Sequence, residues 1–89
     1  MALMTDPMTA ARGILTLLSE TVPESKLASA RETLEFGYPL LAVINALSVA
    51  HEEQIPVSDN IRKLVLNEFT WPTDEHEAVM NELEKIPKS

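Results

Sequence analysis

The sequence predicts an all-α protein, a small compact bundle of about five short helices with the third helix at its centre. Three observations carry this expectation. Apolar residues recur at three- and four-residue spacing along most of the chain. No segment alternates apolar and polar residues over a strand length with turn signals on both sides. Only two glycines are present and every connector is short, which favours antiparallel neighbours.

The elements follow in order. Asp6-Pro7 reads as a helix start, Asp6 as the cap and Pro7 in the first turn, where a missing N–H costs nothing. Ala11, Ile14, Leu15, Leu18 and Val22 form the apolar stripe, and Val22-Pro23 ends the helix because the residue before proline leaves the helical region. A second helix runs from Pro23 or Glu24 to Phe36, with Leu27, Ala30 and Leu34 on one face and Gly37 as its stop. Tyr38-Pro39 opens the third helix, to about Gln54. Leu40, Leu41, Val43, Ile44, Leu47, Val49 and Ala50 make it apolar over most of its circumference, which belongs in the middle of a fold, with Asn45, Ser48 and Glu52 on its wetter side.

Gln54-Ile55-Pro56-Val57 reads as an extended connector and Ser58 as the cap of a fourth helix, with Ile61, Leu64, Val65 and Phe69 inward and Arg62 and Lys63 exposed. Trp71-Pro72-Thr73 breaks it. The fifth helix is expected to start near Asp74, where Asp74 and Glu77 have capping-box spacing, with Val79, Leu83 and Ile86 inward. The 89 residues suit a single domain, 1–89, with residues 1–5 expected to be frayed or disordered.

An apolar content of 45% fits a globular chain. There is no cysteine, which excludes disulfides, thiolate zinc sites and a cysteine nucleophile, and which fits a reducing compartment. The start lacks the basic stretch and apolar run of a signal peptide, and the longest apolar runs fall far short of the ~20 residues that span a bilayer. The expected location is therefore the cytoplasm, away from the membrane.

Fourteen acids against seven bases give a net charge of −7, and their distribution is uneven. Between Glu32 and Ile61, and again between Leu64 and Glu84, there are acids but no Lys or Arg. Nucleic acid is repelled by such a surface, whereas a basic protein is attracted and steered to it.

Catalytic arrangements fail on named residues. His51-Glu52-Glu53-Gln54-Ile55 begins like a zinc-protease helix, but Ile55 stands where the second histidine is required. His51 and His76 read as solvated helix-surface side chains. Gly13 and Gly37 are isolated, so no glycine-rich loop cradles phosphate. None of the serines has a glycine-framed elbow, and Ser58, followed by Asp59, lacks the Asp-Ser-Leu order of acyl carrier proteins. The expectation is a protein without enzymatic activity, cofactor or metal. The aromatic residues Phe36, Tyr38, Phe69 and Trp71 lie at helix ends, where they plug the core or serve as binding anchors. Tyr38 and Trp71 are the candidate anchors, because each carries a polar atom that wants a partner.

The middle of the chain runs Leu34-Glu35-Phe36-Gly37, then a helix with Ala42 and Leu47, then Glu53-Gln54-Ile55-Pro56-Val57-Ser58 leading to Ile61 and Leu64. In this it resembles the MafI-like immunity proteins. The resemblance covers Leu27 to Phe69, roughly half the chain. It implies a bacterial, cytoplasmic neutraliser that blocks the effector domain of a polymorphic or contact-dependent growth-inhibition toxin, often a nuclease. The expected contact surface is an acidic face of Glu52, Glu53 and Asp59 at the junction of the third and fourth helices. Asp74, Glu75 and Glu77, nearby in sequence, are further candidate contact residues, with Tyr38 and Trp71 as candidate apolar anchors. The competing reading is a small helical adaptor or regulatory protein that homodimerises, or binds another protein, through apolar stripes on the first and fifth helices.

Overall fold

Among the described residues five segments fold as helices, each opening on a side chain that caps an N–H or beside a proline that has none to satisfy. In the computed structural model, which describes residues 6–69 and 71–88, helix α1 spans Pro7–Leu18. The Asp6 carboxylate accepts from the Thr9 N–H at 2.9 Å and from the Thr9 hydroxyl at 3.0 Å. The expectation for residues 1–5 falls outside the described residues. Helix α1 stops four residues before the expected Val22. The Ser19 and Thr21 hydroxyls bond the Thr16 and Leu18 carbonyls, and the chain tightens into turns up to Pro23.

Helix α2 spans Glu24–Glu35 and ends at Gly37 in the left-handed region (φ 94°). The Gly37 N–H donates to the Leu34 carbonyl and the Tyr38 N–H to the Thr33 carbonyl, the paired bonds of a Schellman ending. Helix α3 spans Pro39–Glu52 and α4 spans Asp59–Asn67, with Ser58 Oγ accepting from the Ile61 N–H at 3.3 Å as the cap. Helix α5 spans Thr73–Lys85. Its cap position is Pro72, which makes no side-chain cap bond, so the expected role of Asp74 as a cap is corrected. Proline already holds the extended backbone that precedes a helix, and Asp74 and Glu75 sit one turn in, where carboxylates complement the helix dipole.

The fold is all-α, and α3 is its central element, as expected, packing on α1, α2 and α5. The helices alternate in direction. Thr33 of α2 bonds Asn45 of α3, and Lys26 pairs with Glu53, which sets α2 and α3 antiparallel. Leu17 of α1 neighbours Ile61 of α4, while Thr9 shares a groove with Glu68 just beyond α4. Helix α5 runs parallel to α3, with Ile44 and Leu47 facing Ala78 and Val79, and His51 facing Glu82. The body measures 32 × 25 × 24 Å.

Along α3 the wholly buried positions are Ala42, Val43, Ala46, Leu47 and Ala50. Alanine every fourth residue lets α1 and α2 approach closely, so the larger side chains Leu40, Ile44 and Val49 are only half-buried and Leu41 is 49% exposed. Ile14, Leu15, Leu18, Val22, Leu27, Val57, Val65 and Val79 complete the centre of the core. Burying each such side chain contributes about 1.5–3 kcal/mol. Among the described residues, no helix is long and apolar enough to cross a membrane.

Candidate functional site

The alternating helices give the bundle two ends of different character. At one end lie the start of α1, the end of α2, the starts of α3 and α5 and the end of α4. At the other lie the opposite termini together with the last residues of the described chain.

The first end is apolar and acidic. Phe36 is 73% exposed and Tyr38 60% exposed, on either side of Gly37, and Leu41 follows one turn into α3. Tyr38 occupies the position of a Schellman ending that usually packs back onto the helix. Its counterpart there is Thr33, whose hydroxyl donates to the Ser29 carbonyl at 2.9 Å and accepts from Asn45 at 3.1 Å. The phenol ring therefore has no apolar side chain to pack on at that position and stays largely exposed. Beside it opens a groove of about 700 Å³ lined by Pro7, Tyr38, Pro39, Leu41, Phe69 and the carboxylate-bearing Glu68 and Glu75.

The carboxylates here lack intramolecular partners. Among the described residues, Glu32, Glu35, Glu68, Asp74, Glu75 and Glu77 make no ion pair. Arg31, the base nearest Glu32 and Glu35 in sequence, turns its guanidinium back to Glu24, Nη2 lying 3.3 Å from Oε1. Asp6 is engaged differently. The Thr9 backbone N–H, and then its hydroxyl, hold the Asp6 carboxyl below its ordinary value.

At the second end the buried polar groups are satisfied internally, while Glu52 and Asp59 are exposed and, like the acids of the first end, make no ion pair among the described residues. Arg62 is only 9% exposed, which corrects the expectation of a solvated side chain. Its guanidinium donates to four carbonyls: Nε to Val57 at 3.1 Å, Nη1 to Leu83 at 2.5 Å, and Nη2 to Ile86 at 2.7 Å and Pro87 at 3.1 Å. Three of these acceptors belong to the last turn of α5 or the residues after it, the negative pole of that helix. The Val57 N–H also donates to the Pro87 carbonyl at 3.0 Å, so connector and chain end are tied twice. His51, expected to be solvated, is half-buried and bonds Glu82 at 2.7 Å between α3 and α5. His76 is exposed, as expected.

The expected site residues fall at both ends. Glu52, Glu53 and Asp59 are exposed at the second end, and Glu53 lies 3.4 Å from Lys26. Asp74, Glu75 and Glu77 are exposed on the first turns of α5, at the other end of a 14-residue α3 that is ~20 Å long. The structure therefore does not bring the six into one face. Of the two aromatic anchors, Tyr38 is exposed, but Trp71 is 8% exposed. Its ring sits 5.5 Å from that of Phe69 and its Nε1 donates to the Val65 carbonyl at 2.8 Å, so Trp71 plugs the core.

Three features escaped the sequence reading. Phe36 and Leu41 are exposed, although neither is among the candidate contact residues that the sequence offers. Arg62 lies three residues before Val65 and four after Ser58, on the buried stripe of α4, a spacing that marks it as inward-facing. Glu68 ends α4 as an acid at the negative pole of a helix, a locally unfavourable placement.

Among the described residues, no three His, Asp or Glu side chains gather to hold a metal ion. Comparison of the chain with protein-family models, curated proteins and solved structures returned no match.

Proposed function

We propose that the protein is an immunity protein, acting in the cytoplasm without catalysis, that blocks the effector domain of a bacterial toxin by covering a basic surface of it. The observation that supports this reading best is the set of unpaired carboxylates around Phe36, Tyr38 and Leu41. A domain that acts on nucleic acid carries basic surfaces to neutralise phosphates, and an acidic protein can occupy them in place of the substrate. Opposite charge also speeds encounter, which suits an inhibitor that must act before its target does. The resemblance of Leu27 to Phe69 to immunity proteins points the same way.

The test is co-expression with the product of the gene immediately upstream, followed by affinity capture and a growth assay. The reading expects a complex that weakens as salt rises and cells that survive the effector only when this protein is present. A salt-independent complex, or no protection, contradicts it. Charge reversal separates the two acidic regions. Glu68→Lys with Glu75→Lys is expected to weaken the complex more than Glu52→Lys with Glu53→Lys, since Glu53 is already engaged by Lys26.

A second reading, homodimerisation, is favoured by one observation. Between α1 and α4 runs an apolar groove of about 560 Å³ lined by Ala10, Gly13, Leu17 and Leu64, and a Cβ at Gly13 would meet nothing within 4 Å. Sedimentation of the isolated protein decides it: a tight dimer favours this reading and a clean monomer contradicts it.

A further inference from the structure

We infer that the groove between Tyr38, Leu41, Phe69 and Glu75 receives a single large apolar side chain, presented by a segment of the partner that carries arginine or lysine on either side of it. This rests on the proposal that the protein works by binding a basic partner, and it names the contact.

Four features of the groove converge on that occupant. Its volume, about 700 Å³, is that of an open groove with room for a large side chain and its flanking backbone. Its lining is mostly apolar, from Pro7, Pro39, Leu40, Leu41 and Phe69. Three large apolar residues, Phe36, Tyr38 and Leu41, stand at 73%, 60% and 49% exposure within six positions of sequence. Single exposed apolar residues are ordinary on a protein surface, whereas a contiguous group beside a concavity marks a contact site.

The turn that carries Tyr38 is also held in place before anything binds. Gly37 is fixed by its own N–H bond to Leu34 and by that of Tyr38 to Thr33, and Pro39 locks the first turn of α3. Ordering a loop is therefore not part of the free energy of binding.

Charge selects the occupant. Glu68 and Glu75 stand in the groove wall, with Glu35 one residue from Phe36, and none has an ion-pair partner among the described residues. Glu75 has a local role at the start of α5, where a carboxylate complements the helix dipole. Glu35 and Glu68 have the opposite placement, at the ends of α2 and α4, where the helix itself disfavours negative charge. Arg12 neighbours both Glu35 and Glu68 in adjoining grooves without forming an ion pair with either, so these carboxylates remain open to a cation from outside. An acidic peptide or a nucleic acid would meet repulsion from Glu68 and Glu75 in the groove itself, and a neutral apolar peptide would leave these carboxylates partly desolvated and unpaired.

The experiment is selection from a random 12-residue peptide library displayed on phage, against the full chain, with the Tyr38→Ala/Leu41→Ser double variant as counter-target. Both side chains are solvent-exposed, and a melting curve like that of the parent confirms the variant folds. The expected peptides carry at least two arginines or lysines flanking an aromatic residue or leucine. They lose tenfold or more in affinity for the double variant and for Glu68→Gln/Glu75→Gln, and they weaken as salt rises. Neutral or acidic winners, winners that bind the variants unchanged, or no enrichment over an unrelated acidic protein each overturn the inference. So does a self-dimer that dissociates on Leu41→Ser, because a second copy would then fill the groove. The two proposals fail separately. An effector captured equally well by the Tyr38→Ala/Leu41→Ser variant removes the groove and keeps the immunity reading. Peptides of the expected kind without effector binding or protection keep the groove and remove the immunity reading.

Discussion

The two ends of the bundle solve the same problem in opposite ways. Each must close a stack of helix termini, and each uses a left-handed residue to do it: Gly37 after α2 and Gln54 (φ 53°) after α3. Beyond Gln54 the chain turns inward. Ile55 packs against the core, Val57 is buried, and Arg62 gathers four carbonyls from the connector and the end of α5. Beyond Gly37 it turns outward, leaving Tyr38 and Leu41 in water beside unpaired acids. A buried cation held by carbonyls contributes to stability and specifies how α4 and α5 meet. An exposed aromatic beside carboxylates buries little surface in the isolated fold. The contrast separates residues that hold the molecule together from residues left free for the contact proposed above.

The largest effect is expected at the closed end. Replacing Arg62 by methionine takes the side-chain donor from four carbonyls, of which Leu83 and Pro87 keep a backbone donor and Val57 and Ile86 do not, and is expected to lower unfolding free energy by about 3–5 kcal/mol, read from urea denaturation. Arg62→Lys is expected to recover only part of this, because one ammonium cannot span acceptors on Val57, Leu83 and Pro87 with a planar fork. A loss below about 1 kcal/mol would remove the distinction between the two ends.

Next comes the open end, where stability and binding are expected to part. Leu41→Ser should shift unfolding free energy by about 0.5 kcal/mol or less while weakening the captured partner by about 2 kcal/mol, the scale of an interface anchor. Calorimetry on the complex and on the free protein reads both quantities. A smaller effect is expected at the turns themselves. Gly37→Ala should destabilise by about 1 kcal/mol, since its φ of 94° is disfavoured for any residue with a Cβ, although a Cβ there meets nothing within 4 Å. Gln54→Gly, the mirror experiment, should stabilise by about 0.5 kcal/mol, the relief of strain being partly offset by a more flexible unfolded chain and by loss of the side-chain bond to the His51 carbonyl at 2.7 Å.

The smallest effect concerns pH. The folded carboxyl of Asp6 titrates below its ordinary 3.8 because Thr9 donates to the charged form. Its contribution is therefore present above pH 3.8 and lost as the pH falls through the lower, folded value. Asp6→Asn keeps a cap acceptor without the titration. Comparing the two proteins by thermal melting between neutral and strongly acidic pH should show the parent losing its advantage below pH 3.8.

The helices were legible because local rules place their boundaries: the Asp6 and Ser58 caps, the Gly37 stop and the prolines behave as their chemistry dictates. The errors share a cause. Arg62, His51 and Trp71 were read by residue type, as a solvated cation, a solvated histidine and an anchor on the rim. Yet their partners are a carbonyl of Leu83, a carboxylate of Glu82 and a carbonyl of Val65. Two of those partners lie more than twenty residues away, so no local pattern reveals the pairing that permits burial. The division of the acids between the two ends is hidden for a related reason. Charge runs say which residues are acidic and nothing about direction, and reversing α4 and α5 sends Asp59 and Asp74 to opposite ends. Of the expected contact residues, Tyr38 and Glu75 are the two the structure brings together at a groove.

Amide hydrogen exchange on the full chain, alone and in complex with the effector domain it captures, tests the central claim most directly. The account predicts new protection at residues 36–41 and 68–75 of the complex, with residues 52–59 exchanging as in the free protein. Protection confined to 52–59, with 36–41 unchanged, would contradict it and return the contact to the end that Arg62 closes.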